Sequence, residues 1–142
     1  MNYYADGGMA MSAQPQELPP SQIITDDLEN KVSIEEAQQI IEVLGALNDQ
    51  GRVFILQENN TIIVLISIAD NVAEVHLFSL NEPLVLAKSI KVMLGELNRS
   101  HLKRIYGNVD NEDTPAMLAL MNSFGMQVEE SDNPEYVWMA NI

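Results

Sequence analysis

Three apolar segments that follow one another directly constrain the fold more than any other feature of the chain. They are RVFILQE, TIIVLISIA and VAEVHLFSL, separated by Asn59-Asn60 and by Asp70-Asn71. Asn and Asp tolerate the positive φ values that tight hairpin turns need. The spacing therefore predicts two hairpins in an antiparallel meander. The middle segment is apolar on both faces, which predicts a central strand covered on two sides.

Helical signals surround this meander. Ser33 and Glu36 form a capping box, and apolar residues at helical spacing follow them. A second helix is predicted to begin at Pro83 and a third at Thr114-Pro115. LKRIYGNV, MQVEE and EYVWMANI predict one short strand and a final hairpin. The order predicts an α+β fold with a mixed, mostly antiparallel sheet flanked by about three helices.

The N-terminal segment differs from the rest because it shows neither helical nor strand periodicity. MNYYADGGMAMSAQPQELPPSQ is interrupted by glycines and prolines, and it cannot bury enough apolar surface to offset its ordering entropy by itself. We therefore predict an extended arm over residues 1–32, with an arm folded back on its own domain as the alternative. The aromatic and methionine side chains that would attach the arm to a protein partner are Tyr3, Tyr4, Met9 and Met11.

Composition argues against several classes of function. The chain has no cysteine and 2 histidines, so we predict neither a disulfide nor a metal site. It carries 21 acidic against 7 basic residues, and its net charge of −14 would repel phosphates. We therefore predict no direct nucleic-acid binding. The apolar runs fall short of the ~20 residues of a membrane helix, and no secretory signal is visible, so neither membrane insertion nor secretion through a signal peptide is predicted.

The segment ALMNSFGMQVEE and the order of elements carry a resemblance to a known family. The segment is similar to the helix of the GCN5-related N-acetyltransferases that ends in a Gly-Phe pair and runs into the penultimate strand. The order of helix, three strands, helix, strand, helix and two strands also resembles that family. The resemblance spans residues 33–142, which we interpret as one acetyltransferase-like domain. It implies an acetyltransferase-like fold, with acetyl-CoA as the family's cofactor.

The resemblance also places the family's cofactor site, at the strand–helix junction FSLNEPLVLAKS. In the family a Q/R-x-x-G-x-G/A loop presents backbone N–H groups to the pyrophosphate there. Here the loop has no Gly or Arg, Glu82 places a carboxylate beside the phosphate position, and Pro83 lacks an N–H group. These departures predict that no cofactor binds. If the chain is an enzyme, the candidate contacts to acetyl-CoA are Asn81, Leu84, Val85 and Lys88.

The family's catalytic positions are also altered. A Tyr four residues before the glycine often protonates the leaving thiolate in the family, and the matching position before Gly125 holds Met121. The family's general base frequently lies on the strand before the cofactor loop, where this chain has Glu74 and His76. Alternation places both on one face of the strand. We interpret them as the solvated side of that strand, and as the candidate catalytic pair if the chain is an enzyme.

Other residues with distinctive chemistry receive structural interpretations. Tyr136 and Trp138 are expected to fill the core or an interface, and Met117 and Met121 to fill the core. His101 lies beside basic residues and is expected at the surface.

The altered cofactor loop favours a non-catalytic, acetyltransferase-like protein that serves as a structural or interaction component of a larger assembly. Degenerate domains of this kind occur among bacteriophage proteins, so we predict a location in a virion or in the host cytoplasm. Two alternatives stay open. One is an active N-acetyltransferase that uses acetyl-CoA, and the other is an acidic inhibitor that mimics nucleic acid.

Overall fold

The predicted meander forms one end of a mixed sheet. In the computed structural model, which describes residues 17–108 and 114–142, its three strands pair antiparallel in succession. Asn59 and Asn71, in the two turns, take positive φ values of 54° and 61°. Both predicted hairpins are therefore confirmed. The strands are β1 (Val53–Glu58), β2 (Thr61–Ala69) and β3 (Val72–Ser79).

Three further strands complete the sheet. They are β4 (Arg104–Gly107), β5 (Gln127–Glu130) and β6 (Trp138–Asn141). The six strands of the described residues lie in the order β1-β2-β3-β4-β6-β5. The pairing of β3 with β4 is parallel, and every other neighbouring pair is antiparallel. The predicted α+β fold with a mixed, mostly antiparallel sheet is confirmed.

Four helices flank this sheet within the described residues. They are α1 (Pro20–Glu29), α2 (Ile34–Asp49), α3 (Pro83–Asn98) and α4 (Thr114–Ser123). The last three match the predicted helices. The Glu36 N–H donates to Ser33 Oγ at 3.2 Å, so the predicted N-cap of α2 is present. Gly125 follows α4 with a φ of 85°, a value that favours glycine at the end of a helix.

Helix α1 corrects the prediction of an extended arm over residues 1–32. Pro20 takes the first helical position, where its missing N–H group costs nothing. Ile23, Ile24 and Leu28 are buried against the sheet and α2, which provides the stabilisation that the segment lacks by itself. Residues 20–29 are therefore part of the folded domain.

The remaining part of the predicted arm lies outside the described residues. This part includes all of the expected partner-binding side chains, which are Tyr3, Tyr4, Met9 and Met11. Attachment through these residues stays a prediction.

Two apolar clusters hold the helices against the two faces of the sheet. Val75 of β3 belongs to the cluster under α3 and α4, and Phe78 belongs to the cluster under α1 and α2. Because side chains alternate along a strand, Glu74 and His76 share the second face with Phe78. In the described ranges, no helix combines the length and the apolar character needed to cross a membrane.

Candidate functional site

The pairing of β3 with β4 ends early, which opens one edge of β3. The parallel register runs from Val72 opposite Arg104 to Glu74 opposite Tyr106. β3 then continues to Ser79, whereas β4 ends one residue later at Gly107. Within the described residues, the later part of β3 therefore has no strand neighbour on this side. Apart from the Ser79 N–H group, which donates to Asp27, its backbone groups on this side are available to a ligand that lies between the two strands.

The two candidate catalytic residues meet at the start of this opening. The Nε2 atom of His76 lies 2.7 Å from Oε2 of Glu74. Their side chains retain 31% and 25% of their exposure, so they are half-buried and still reachable from solvent. The prediction that they share one face is confirmed. The interpretation as a merely solvated side is incomplete, because the two side chains bind each other.

The hydrogen bonds of this pair indicate which nitrogen of His76 can accept a proton. An ionised carboxylate only accepts hydrogen bonds, so Nε2 of a neutral His76 carries its proton toward Glu74. The lone pair then lies on Nδ1. The second carboxylate oxygen, Oε1, accepts from the Tyr136 hydroxyl at 3.1 Å. Both oxygens of Glu74 are thus occupied, and its orientation is fixed.

Tyr136 acts in this site as a hydrogen-bond donor. Burial raises the pKa of its phenol to about 12, and the neighbouring Glu74 carboxylate contributes in the same direction. Its ring stacks on Tyr106, with ring centroids 5.0 Å apart and an angle of 30° between the planes. Tyr136 therefore stays protonated at neutral pH and anchors the loop between β5 and β6 to β3.

A second polar group fixes the other side of that loop. Arg104 donates to Asp132 Oδ2 at 3.2 Å and to Asn141 Oδ1 at 2.8 Å, and the Tyr106 hydroxyl donates to Asp132 Oδ1 at 2.8 Å. The hydrogen bond to Tyr106 raises the pKa of the Arg104 guanidinium, which is already a strong base. The loop is thus held by side chains of β3 and β4, which are Glu74, Arg104 and Tyr106.

The junction between β3 and α3 is held by contacts of a different kind. The Asn81 Oδ1 atom accepts from the Asn60 N–H at 2.9 Å and from the Thr61 hydroxyl at 2.8 Å. The side chain of Asn81 is therefore engaged in binding the junction to the hairpin between β1 and β2. Its Oδ1 atom is thus taken, and the predicted contact of Asn81 to acetyl-CoA stays a prediction.

The other predicted cofactor contacts lie at the exposed start of α3. The first backbone hydrogen bond of this helix runs from the Leu86 N–H to the Glu82 carbonyl at 2.8 Å. The N–H groups of Leu84 and Val85 precede it and have no acceptor within the helix. Lys88 is exposed one turn further on. Two backbone donors and one base therefore lie near one another.

The same junction does not fit a diphosphate. Glu82 occupies the N-cap position, and its side chain makes no cap hydrogen bond. Pro83 supplies no N–H group, and a side chain is present at every position from Leu80 to Val85. A carboxylate at the N-cap position repels an anion that a helix N-terminus would otherwise attract.

Asp27 is a positioning residue that the sequence did not reveal. Its carboxylate is buried in α1 and accepts from the Ser79 N–H and from Lys31 Nζ, each at 3.1 Å. Asp27 therefore fixes the end of β3 just before the junction with α3. We missed it because residues 1–32 were expected to form an arm.

Several other expectations are met. Met117 and Met121 are buried in the core, and the exposed fraction of Met121 is 1%. Trp138 is also buried, and His101 is exposed. Because Met121 has no acidic proton, no proton donor occupies the position of the family tyrosine. Over the described residues, no three His, Asp or Glu side chains form a group that could hold a metal ion.

Comparison with solved structures identifies the fold. A mutant of the spermidine N-acetyltransferase SpeG from Vibrio cholerae matches with a TM-score of 0.51 and 17% identity, covering 85% of this chain and 86% of that one. The Campylobacter jejuni N-acetyltransferase PseH in complex with acetyl coenzyme A matches with a TM-score of 0.50 and 13% identity, covering 89% and 92%. A second structure of PseH matches with a TM-score of 0.50 and 14% identity, also covering 89% and 92%. No family model and no curated protein matches the chain.

These matches confirm the acetyltransferase-like fold and correct the predicted function. The similar structures are N-acetyltransferases, and one of them is a complex with acetyl coenzyme A. The prediction of a non-catalytic structural or interaction component of a larger assembly such as a virion is therefore overturned, and the alternative of an active N-acetyltransferase agrees better with these matches. At identities of 13% to 17% the likeness establishes the fold, whereas the activity needs support from the site itself.

Proposed function

We propose that this chain is an N-acetyltransferase, which moves an acetyl group from a thioester such as acetyl-CoA to an amine. The observation that carries the proposal is the Glu74–His76 pair, with 2.7 Å between its nitrogen and oxygen atoms. The pair lies where β3 and β4 stop pairing, on the fold that N-acetyltransferases share.

In this proposal His76 is the general base. Its Nδ1 atom takes a proton from the protonated amine, which frees the lone pair of the amine nitrogen. Glu74 is a positioning residue that holds the ring through Nε2 and stabilises the imidazolium that forms. Tyr136 holds Glu74 in turn. A positioned base of this kind contributes about 10²-fold to 10⁴-fold to a rate.

The transfer itself exchanges one bond at the acyl carbon for another. The amine nitrogen attacks the thioester carbonyl, a C–N bond forms, and the C–S bond breaks. The nitrogen loses its remaining surplus proton, and one proton ends on the released sulfur to give a thiol. Met121 cannot supply that proton, so solvent or the protonated base delivers it.

The charges around the site favour a cationic amine as the acceptor. Glu74 lies in the site and Glu129 lies on β5, whereas the charge of Asp132 is already paired with Arg104. The net charge of −14 adds long-range attraction for cations. The similar Vibrio cholerae enzyme is a spermidine N-acetyltransferase, and spermidine is a cationic amine. A polyamine or a diamine is therefore the first acceptor to test.

The test combines the chain with acetyl-CoA and a panel of amines, and measures both free thiol and acetylated amine. The panel contains spermidine, a simple diamine, an amino sugar and, as a matched control, an alcohol of the same length as the diamine. We expect thiol release that depends on a cationic amine and matches the acetylated amine formed. Thiol release that is independent of every amine, or absent, would refute the proposal.

A further inference from the structure

One buried polar group has no partner in the fold. The Nε1 atom of Trp138, the only tryptophan of the chain, has no hydrogen-bond acceptor within the described residues. The side chain is 5% exposed, so the N–H group is shielded from bulk solvent. Unpartnered buried N–H groups are rare in folded proteins and require an explanation.

The indole lies where the two parallel strands stop pairing. Trp138 on β6 pairs with Gly107, the last residue of β4. A Cβ atom added to Gly107 would overlap the indole ring and lie 2.6 Å from Nε1. The ring therefore covers the backbone of Gly107, one residue beyond the last pair between β3 and β4. The free N–H group lies beside the opening described above.

The surroundings of this N–H group suit a neutral acceptor. Val75 on β3 and Ile105 on β4 belong to the same apolar cluster as Trp138. Burying a phosphate or a carboxylate among such side chains would be costly without a paired charge. A carbonyl oxygen of a thioester or an amide accepts the hydrogen bond without that cost. The acyl-pantetheine arm of coenzyme A contains such carbonyls.

The opposite end of the opening, at the start of α3, disfavours a negatively charged group. Glu82 and Pro83 at the start of α3 oppose binding of a diphosphate, and Asn81 is engaged elsewhere. The chain would therefore recognise the acyl-pantetheine arm of an acetyl donor rather than its nucleotide part. This differs from a donor held at a glycine-rich loop by its diphosphate.

We propose that the chain recognises its donor through the acyl-pantetheine arm and gains little from the diphosphate. In this arrangement Trp138 Nε1 donates a hydrogen bond to a neutral carbonyl oxygen of the arm. The inference rests on the proposed function in so far as the donor is a thioester. Its test measures binding, which is separable from turnover.

The single tryptophan makes the test direct. In a spectrum of the ¹⁵N-labelled chain, the indole N–H gives one resonance, which can be followed as a donor is added. We would titrate S-acetylpantetheine, acetyl-CoA and 3′-phosphoadenosine 5′-diphosphate, which is the nucleotide half of coenzyme A. We expect both thioesters to shift the indole resonance, with dissociation constants within about fivefold of each other. The nucleotide half is expected to leave the resonance unchanged and not to compete.

Two variants sharpen the test. Trp138→Phe removes the N–H group and keeps an aromatic ring, and we expect about fivefold to tenfold weaker binding of S-acetylpantetheine. Glu82→Gln is expected to tighten binding of acetyl-CoA and leave binding of S-acetylpantetheine unchanged. If Trp138→Phe fails to fold, as judged by its circular dichroism spectrum, the indole resonance of the unmodified chain still decides.

The outcomes separate this inference from the proposed function. Binding of acetyl-CoA about 100-fold tighter than S-acetylpantetheine would overturn the inference, as would competition by the nucleotide half. Turnover without any shift of the indole resonance would also overturn it, while leaving the N-acetyltransferase function intact. A shift without turnover would support recognition of the arm and refute the transfer.

Discussion

The two ends of β3 differ in what they can do chemically. Near its start, Glu74 and His76 bind each other, and both oxygen atoms of the Glu74 carboxylate take part in hydrogen bonds. At its end, Ser79 and Asn81 use their polar groups to hold the chain in place, and Glu82 opposes an anion. One end holds the pair proposed as the base, whereas the other lacks the loop features that bind phosphate in N-acetyltransferases.

This difference explains why the predicted function was wrong. The altered cofactor loop predicts an inactive protein only if the phosphate contacts and the proposed base depend on each other. Glu74 and His76 lie on β3, however, whereas the altered residues lie at the start of α3, so one set can change without the other. A poor phosphate loop therefore limits how a donor binds and leaves the proposed base unchanged.

The largest effect is expected from His76→Gln. Removing the base should lower kcat with the preferred amine by at least about 10²-fold, with little change in KM for the donor. His101→Gln is the matched control, because His101 is the only other histidine and is exposed outside the site. Equal activities of the two variants would show that the pair at the start of β3 is not the catalytic end.

A smaller loss is expected from Glu74→Gln. The ring of His76 remains but loses its charged acceptor, so kcat should fall about tenfold to 100-fold. The loss should fall on kcat rather than on KM for the donor, because the ring is still present but is no longer held in place. A change in stability without a loss of kcat would mean that Glu74 has only a structural role.

Tyr136 should make the free energy of unfolding depend on pH in alkaline solution. Its pKa is about 12 in the folded chain, above the ordinary value of 10.0. The unfolded chain therefore loses this proton first, so the stabilisation from Tyr136 is complete below about pH 10 and falls as the pH rises toward 12. Urea unfolding over this range should show a shallower decline for Tyr136→Phe. Parallel curves for the two proteins would contradict the assigned pKa.

Asp27→Asn tests whether the far end of β3 is held as described. The substitution removes the charge that accepts from Ser79 and Lys31, and it should cost about 1–3 kcal/mol in the free energy of unfolding. Asp26→Asn, at the neighbouring position of α1, is the matched control and should change stability by about 0.5 kcal/mol or less. Equal losses for the two variants would mean that the contact to Ser79 contributes nothing specific.

The smallest effect is expected from Glu82→Gln. Removing the carboxylate beside the start of α3 should lower KM for acetyl-CoA about threefold, since charges at a helix terminus contribute modestly. Lys88→Gln, one turn further into α3, should change KM in the opposite direction if its charge attracts the donor. A drop of more than about 30-fold for Glu82→Gln would show that the phosphate end is nearly functional.

The parts of the fold that local chemistry determines could be predicted. Asn59, Asn71 and Gly125 mark positions of positive φ, and Ser33 caps α2 through a neighbour three residues away. The shared face of Glu74 and His76 also follows from alternation alone. These features depend on residues close together in sequence, so the pattern of the chain reveals them.

The parts that depend on distant contacts could not be predicted. Tyr136 reaches Glu74 across 62 residues, and Asp27 reaches Ser79 across 52. Helix α1 has only a short apolar stripe. It becomes stable because Ile23 and Ile24 pack against the sheet. A signal was available in Pro20 at the first helical position and in the spacing of Ile24 and Leu28.

The tautomer of His76 is the most direct test of the chemistry assigned to the start of β3. Long-range ¹H–¹⁵N spectra distinguish a protonated Nε2 from a protonated Nδ1, and with 2 histidines in the chain the assignment needs only the His76→Gln variant. At a pH where His76 is neutral, we predict a proton on Nε2 and a free lone pair on Nδ1. A proton on Nδ1 would contradict the carboxylate–histidine base and with it the catalytic role of this end of β3.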